Sequence, residues 1–319
     1  MPVTSSASLS VIVPTRDTSD LTMRCLAAVV RAADGLRCEL VLVDDGSCDG
    51  TSDRVRASFP DVRLLRHDAA LGFTAAANTG LRAASGSILL LLNSDTEVQL
   101  DGLGALMDAF ERDPQLGIAG AQLFNSDGSA QWSGGRVPDC LWLFAEASGG
   151  VRQLARLPGY RRVRPLARAT DRDVAWVSGA ALAMRQTIWQ RMGPLDESFR
   201  LYGQDLDLCT RAGEAAWKIR VVSGFAVLHH QGATVASVTR AAGRYDVEYL
   251  WTDLVRWSAK TRGVPYARRA ALVLSIGARI RLLARWLITP TVAGEHRARW
   301  SDQNREIRAA LGALRASRL

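Results

Sequence analysis

The residues best equipped for chemistry in this sequence fall into three carboxylate clusters, two of which close an apolar run while the third opens a helical pattern. In Val43-Asp44-Asp45-Gly46-Ser47 a carboxylate can accept hydrogen bonds from a pyrimidine imide N–H or ribose hydroxyls, and glycine lets the backbone turn closely around a ring. A turn with a helix N-cap accounts for Ser47 or Asp49 as well, but not for the paired Asp44 and Asp45. In Leu92-Asn93-Ser94-Asp95-Thr96, Asp95 stands at a strand end, where a hard cation can bridge a carboxylate to a diphosphate. Mg²⁺ commonly takes only one or two protein carboxylates plus phosphate oxygens. The competing reading of these residues is a helix N-cap before Leu100. Tyr202-Gly203-Gln204-Asp205-Leu206-Asp207 sets two carboxylates two positions apart near a helix start. Such residues do not share a helix face, so Asp205 and Asp207 are expected to differ in duty. One can take an acceptor's proton as general base, while the other orients substrate or complements the helix dipole. His229 and His230 end an apolar strand in a chain with only 4 histidines. That placement suits an imidazole on a metal, although a strand-end histidine is often structural.

The elements around these clusters read as an α/β alternation. Apolar runs at 9–13, 39–43, 62–65 and 87–92 predict strands, and helical spacing at 21–33, 50–58 and 73–84 predicts helices between them. This order predicts a mainly parallel sheet with helices on both faces, whose ligands bind beyond the carboxyl ends of the strands. Thr15-Arg16-Asp17, Asp44-Asp45 and Asn93-Ser94-Asp95 all belong to that rim. A helix to 112 and a strand at 117–123 follow, and then 125–172, rich in Gly, Pro, Trp and Arg, reads as long loops with some short helix. Order returns at 174–184, with a helix at 204–215 and strands at 219–222 and 226–229. From 247 the pattern is helical, broken at Gly263-Val264-Pro265 and near Pro290. The expected organisation is a catalytic domain over 1–240 and a basic helical extension over 241–319.

A hydrophobic fraction of 48% and a charged fraction of 23% are ordinary for a globular chain of 319 residues. The apolar runs are too short, or too interrupted by arginine, to span a bilayer, and no secretory leader is expected. Five scattered cysteines fit reduced thiols in the cytoplasm. The net charge of +8 is uneven: 240–319 holds 16 basic and 6 acidic residues, while the preceding part is close to neutral. Leu272, Ile276, Ile280, Leu283 and Leu287 share one helical face, with Arg281 and Arg285 pointing away from it. The pattern suits a helix on the anionic inner face of a membrane, and equally a helix packed on the catalytic domain or in a homodimer. A nucleic-acid partner is not expected, because no binding motif accompanies the basic residues.

Taken in order, the motifs resemble the family 2 glycosyltransferases of GT-A fold, particularly the rhamnosyltransferase-like branch. Residues 10–15 look like the family's opening strand and 43–51 like its Asp-Asp-Gly-Ser element. Leu71-Gly72-Phe73 to Asn78-Thr79-Gly80 looks like the helix that follows, and Asn93-Ser94-Asp95 occupies the Asp-x-Asp position. Val177-Ser178-Gly179-Ala180-Ala181 resembles the acceptor-side strand. Gly193 to Phe199 and Gln204 to Arg211 resemble the acceptor loop and base block, and His229-x-x-Gly232-x-Thr234 the late histidine motif.

The resemblance implies inverting, metal-dependent transfer from a dTDP- or UDP-sugar to the hydroxyl of a lipid-linked glycan, polysaccharide or small glycoside. It assigns donor binding to Pro14, Thr15, Arg16, Asp44, Asp45, Gly72, Asn78, Asn93, Ser94 and Asp95. A divalent metal, Mg²⁺ or Mn²⁺, falls to Asp95 and His229, with His230 in reserve, and the general base to Asp205. Trp176, Gly179, Asp196, Gln204 and Asp207 border the acceptor. Asn93 replaces the more general first aspartate and Gln204 the glutamate that usually precedes the base. Both departures keep open a catalytically reduced relative that binds nucleotide sugar or a partner subunit. A nucleotidyltransferase fits less well, because Pro14-Thr15-Arg16-Asp17 stands where a Gly-rich triphosphate loop belongs.

Overall fold

A computed structural model describes residues 8–150, 170–230, 246–288 and 294–317. Strands β1 (Leu9–Thr15), β2 (Cys38–Asp44), β3 (Arg63–Arg66) and β4 (Ile88–Leu92) pair in parallel, in the spatial order β3-β2-β1-β4. Every residue of β1 and β4 is buried, as strands covered by helices on both faces require. The sheet continues beyond β4 through β10 (Ala181–Arg185), β6 (Leu116–Phe124) and β11 (Lys218–His229) to β5 (Thr96–Val98). Strand β10 runs antiparallel to both neighbours. It thereby carries Gly179 and Ala180 to the end of β4, where the Asn93 N–H donates to the Ala180 carbonyl at 2.9 Å.

One face is covered by α1 (Ser19–Ala32) and α4 (Gly102–Arg112), whose Cys25, Leu26, Val29, Leu103, Leu106 and Phe110 pack with β1, β4 and β6. On the other face α3 (Phe73–Ala83), α6 (Gln186–Met192) and α7 (Gln204–Glu214) join a core with Ile12, Leu89, Leu91 and Ile118. Helix α3 lies close enough to the sheet that a Cβ at Gly80 would fall 2.3 Å from the Ile12 Cγ2 atom, so the contact needs glycine.

The structure departs from the sequence-based expectation in several places, among them β5 and α6, which no pattern foretold. The strands expected at 219–222 and 226–229 are one strand, β11, with a register shift against β6 between Val222 and Ala226. Ser223 and Gly224 interrupt the apolar pattern there, at the irregularity, without ending the strand. The stretch after 125 contains β7 (Gly134–Gly135), paired with β9 (Trp176–Val177), and α5 (Cys140–Ser148). Helix α5 starts where Asp139 accepts from the Trp142 N–H and stops at Gly149 in left-handed conformation. Strand β8 (Arg172–Asp173) pairs with β11.

The last elements are α8 (Val247–Arg262), α9 (Val264–Ile288) and α10 (Gly294–Ala316). Asp246 caps α8 by accepting from the Tyr249 N–H, and Pro265 falls in the first turn of α9, where its missing donor is harmless. These helices share a core with α5 and α7 through Trp142, Phe199, Leu206, Trp251, Leu254, Trp257, Leu274 and Ile307. Among the described residues no helix is long and apolar enough to cross a membrane. Gly232, Thr234, the break near Pro290 and the expected boundary at 240/241 lie outside the described residues.

Candidate active site

The sheet rim and the C-terminal helices enclose a cleft of about 660 Å³. The rim contributes Pro14, Thr15, Arg16, Asp45, Gly72, Asn93, Asp95 and His229; Trp176, Gly179, Gln204 and Asp205 also face it.

Asp45 reaches the cleft while fixing its border. It accepts from the Leu71 and Gly72 N–H groups at 2.8 Å each and lies 2.8 Å from His67 Nδ1. Gly46, between Asp45 and Ser47, has φ +74, and a Cβ there would sit 2.9 Å from the Ala69–Ala70 peptide. The glycine anticipated for a close turn thus accommodates the chain's own backbone.

Asp95 is buried, and its Oδ1 has no hydrogen-bond partner among the described residues; the same holds for Asn93 Oδ1. His229 Nε2 stands 3.4 Å from Asp95 Oδ1. The other ring nitrogen, Nδ1, meets Gln131 Oε1 at 2.9 Å. Gln131 Nε2 donates to the His229 carbonyl at 2.7 Å and to Asn125 Oδ1 at 2.8 Å. A carbonyl can only accept, so the amide nitrogen must face it and Oε1 must face the imidazole. In the neutral ring the proton therefore rests on Nδ1, leaving the Nε2 lone pair toward Asp95. The unsatisfied carboxylate oxygen and an imidazole with a bare nitrogen suit a divalent cation. Among the described residues no three His, Cys, Asp or Glu side chains converge as a metal cluster. A cation held by Asp95 and His229 would thus draw its remaining ligands from phosphate and water. His230 is engaged elsewhere, with Glu97 at 2.8 Å and Ser126 at 3.1 Å.

Asp205 opens α7 and accepts from the Gly179 N–H at 2.8 Å and from the Leu206 N–H at 2.7 Å. Burial pushes its carboxyl above the ordinary aspartate value, and these N–H groups offset only part of that rise. Gln204 Oε1, beside it, is buried with no hydrogen-bond partner among the described residues.

Five of the expected site residues do not line the cleft. Asp44 is buried within the protein, bonded to the Ser47 N–H, the Ser52 hydroxyl and the Arg66 guanidinium. Burial alone would raise its pKa, but those bonds hold it below the ordinary value. Ser94 meets Thr18 Oγ1 at 3.1 Å. Asn78 clamps the loop at Leu195, accepting from the Leu195 N–H at 2.9 Å and donating to the Leu195 carbonyl at 2.9 Å. Asp196 pairs with Lys260 at 2.7 Å, and Asp207 with Arg211 at 2.9 Å and Lys260 at 2.8 Å. The polar atoms of these five are taken up by partners inside the fold, local ones such as Ser47 and Ser52 for Asp44, and remote ones such as Leu195 for Asn78 and Lys260 for Asp196.

Sequence reasoning missed Gln131, Trp132, Trp142 and Arg281, all of which line the cleft. The first three come from a stretch without periodicity, and Arg281 from a helix remote in sequence from every motif.

A mainly parallel sheet with helices on both faces, a carboxylate-lined cleft at its rim and appended C-terminal helices define a GT-A glycosyltransferase fold. The mannosyltransferase PcManGT from Pyrobaculum calidifontis, in complex with GDP-Man and Mn2+, shares this fold, with TM-score 0.59 at 17% identity over 98% of this chain and 88% of that one. Residues 10–173 match the family model for glycosyl transferase family 2. The chain belongs to that family. It is 29% identical over 252 residues to the N-acetylglucosaminyl-diphospho-decaprenol L-rhamnosyltransferase of Mycobacterium tuberculosis, covering 69% of this chain and 79% of that protein. It is 24% identical to the O-antigen biosynthesis protein RfbC of Myxococcus xanthus over 73% of this chain, which spans only 18% of that relative. Its likenesses are thus rhamnosyltransferase-like.

Proposed function

We propose that this glycosyltransferase moves a sugar, rhamnose by its likenesses, from a dTDP- or UDP-sugar to a hydroxyl of a lipid-linked glycan, inverting the anomeric centre and requiring Mg²⁺ or Mn²⁺. The observation that carries the reading is one cleft holding both Asp205, a half-buried carboxylate of raised pKa, and the unsatisfied oxygens of Asp95 and Asn93. Residues 1–240 form the catalytic domain and 241–319 its helical extension in this reading.

Asp95 and His229 would hold the cation, with Gln131 keeping the His229 proton on Nδ1. When bound there, a divalent cation supplies positive charge against the negative charge growing on the leaving diphosphate. Asp45 and the Gly72 turn border the nucleotide, with Pro14, Thr15 and Arg16 beside them. Asp205 accepts the proton of the acceptor hydroxyl as its oxygen bonds to the anomeric carbon, and the bond from that carbon to the diphosphate breaks on the opposite face. The Gly179 and Leu206 N–H groups hold the carboxylate oriented for that step. The basic, apolar-faced α9 supports a peripheral seat on the inner face of a membrane, within reach of a lipid-linked acceptor.

The test is release of nucleotide from dTDP-rhamnose, UDP-glucose and UDP-N-acetylglucosamine with short glycan acceptors, with Mn²⁺ or with EDTA. Product anomeric configuration is then read by NMR. Metal-dependent release with inversion is expected. Nucleotide binding without transfer by any donor would leave the chain a binding relative, and undiminished transfer in EDTA would remove the metal.

A further inference from the structure

The cleft wall formed by the segment around β7 and α5, by β9 and by α9 carries groups that the transfer step does not use. Trp132, Trp142 and Trp176 stand together, Trp132 with centroids 5.4 Å from Trp142 and 4.7 Å from Trp176. The Trp142 ring is only 3% exposed, yet its indole N–H has no hydrogen-bond partner among the described residues. Trp176, by contrast, donates to the Arg136 carbonyl at 3.1 Å. The same wall receives Arg281 from α9, and no described side chain forms an ion pair or hydrogen bond with it. Its guanidinium lies against Gly149, where an added Cβ would come within 3.2 Å of Nε.

Arg285, one turn further along α9, shows what a structural arginine looks like in this helix. It donates to Asn304 at 2.8 Å and Gln303 at 2.6 Å and stacks over Trp300. Arg281 has the same side chain in a half-buried position, without such partners, and with a cleft in front of it. On the outer face of the helix, its sequence neighbours Ile280 and Leu283 are 46% and 57% exposed.

Resting on the glycosyl-transfer reading above, we propose that this wall is the acceptor subsite and is built for a sugar carried on a phosphate-linked hydrocarbon. The Trp132–Trp142–Trp176 cluster offers ring faces and one free N–H to a sugar, which presents C–H groups on its faces and hydroxyls on its edges. Arg281 offers planar, paired donors to phosphate oxygens. The exposed apolar stripe lies on the other side of the same helix turn, where the hydrocarbon leaves the phosphate for a lipid surface. Apolar chain, phosphate and sugar are thereby matched in order by stripe, arginine and tryptophans. The donor diphosphate is served separately, at Asp95 and His229.

Two probes test this in the full chain: N-acetylglucosamine joined to a decyl chain through a diphosphate, and the plain decyl glycoside of the same sugar. Binding is titrated by calorimetry with UDP or dTDP saturating. The wild type should bind the diphosphate probe at least tenfold more tightly than the glycoside. Arg281→Gln should erase that preference, Arg281→Lys should restore part of it, and UDP and dTDP affinity should stay within twofold in both. Equal binding of the two probes by the wild type, or a preference that survives Arg281→Gln, would overturn the subsite. If Arg281→Gln instead weakened sedimentation with phosphatidylglycerol vesicles while leaving the preference intact, Arg281 would be a headgroup contact and the proposal would be wrong. Loss of nucleotide binding or of transfer in the wild type itself is a different failure, belonging to the glycosyl-transfer reading.

Discussion

Asp205 is pulled two ways, since burial disfavours its charge and two backbone N–H groups favour it. The balance lies above the ordinary aspartate value, which suits a base that must hold the acceptor's proton once it is taken. The rate of transfer should therefore fall as pH drops through this raised pKa, because the protonated acid cannot accept the acceptor's proton. Linkage runs the opposite way: a carboxyl whose pKa rises on folding favours the native state below its unfolded pKa and loses that favour as pH rises through the folded one. Asp205→Asn should slow single-turnover transfer by about a hundred-fold to ten-thousand-fold, leave dTDP and UDP affinity within twofold, and remove the acid limb of the pH profile. Full transfer by the variant at saturating substrates would exclude Asp205 as the base. Gln131→Leu should weaken Mn²⁺ binding, read by electron paramagnetic resonance with nucleotide present, by about tenfold to a hundred-fold, because His229 loses the acceptor that fixes its tautomer. Unchanged Mn²⁺ affinity would make Gln131 a packing residue only. Asp45, Asp95 and Asp205 were legible from sequence because a carboxylate at a strand end or helix start marks itself. Gln131 was not, since its role depends on a strand 98 positions away.

Among the elements, α7 and α8 are joined by charge rather than by a seam of apolar residues alone. Lys260 of α8 lies 2.8 Å from Asp207 and 2.7 Å from Asp196, and Arg211 holds the other oxygen of Asp207 at 2.9 Å. Burial alone would raise the Asp196 pKa, but the Lys260 ammonium and the Ser198 hydroxyl and N–H overcome it and hold the value at about 2. A depressed carboxylate pKa stabilises the native state above its unfolded value, so this contribution is complete by neutral pH and fades as acid approaches pH 2. The i and i+2 spacing foretold different faces for Asp205 and Asp207, and the structure turns the first to the cleft and the second into this ion cluster. The ion cluster itself was invisible, because Lys260 belongs to a helix with no motif. We expect Asp207→Asn to lower the melting temperature by on the order of 10 °C, since Arg211 loses its carboxylate partner and Lys260 one of its two at a buried site. Acceptor KM should change less than threefold. A stable variant with a much higher KM would return Asp207 to the acceptor site.

At the scale of the whole molecule, the alternating strands and helices were readable because buried parallel strands are continuous apolar runs bounded by polar turns. The antiparallel insertion of β10 between β4 and β6 was not, since pairing partners far apart in sequence leave no local mark. The charge asymmetry acquires a location in α9, which has five arginines and no acidic residue. Leu272, Ile276, Ile280, Leu283, Trp286 and Leu287 are all exposed on it, from 41% to 71%. Burying even one such side chain against lipid is worth about 1.5–3 kcal/mol, and nearby arginines add attraction to anionic headgroups that salt screens beyond about 10 Å at 0.1 M. A lipid surface satisfies both halves of this face at once, whereas a symmetric copy would bring its arginines against arginines. Sedimentation with vesicles of phosphatidylglycerol and phosphatidylcholine should therefore exceed that with phosphatidylcholine alone and fall as NaCl rises. Ile280→Glu with Leu283→Glu should reduce it about tenfold or more while leaving nucleotide affinity intact. If the wild type ignored both vesicle types and light scattering found a dimer that the double substitution split, the stripe would be an interface between two copies instead.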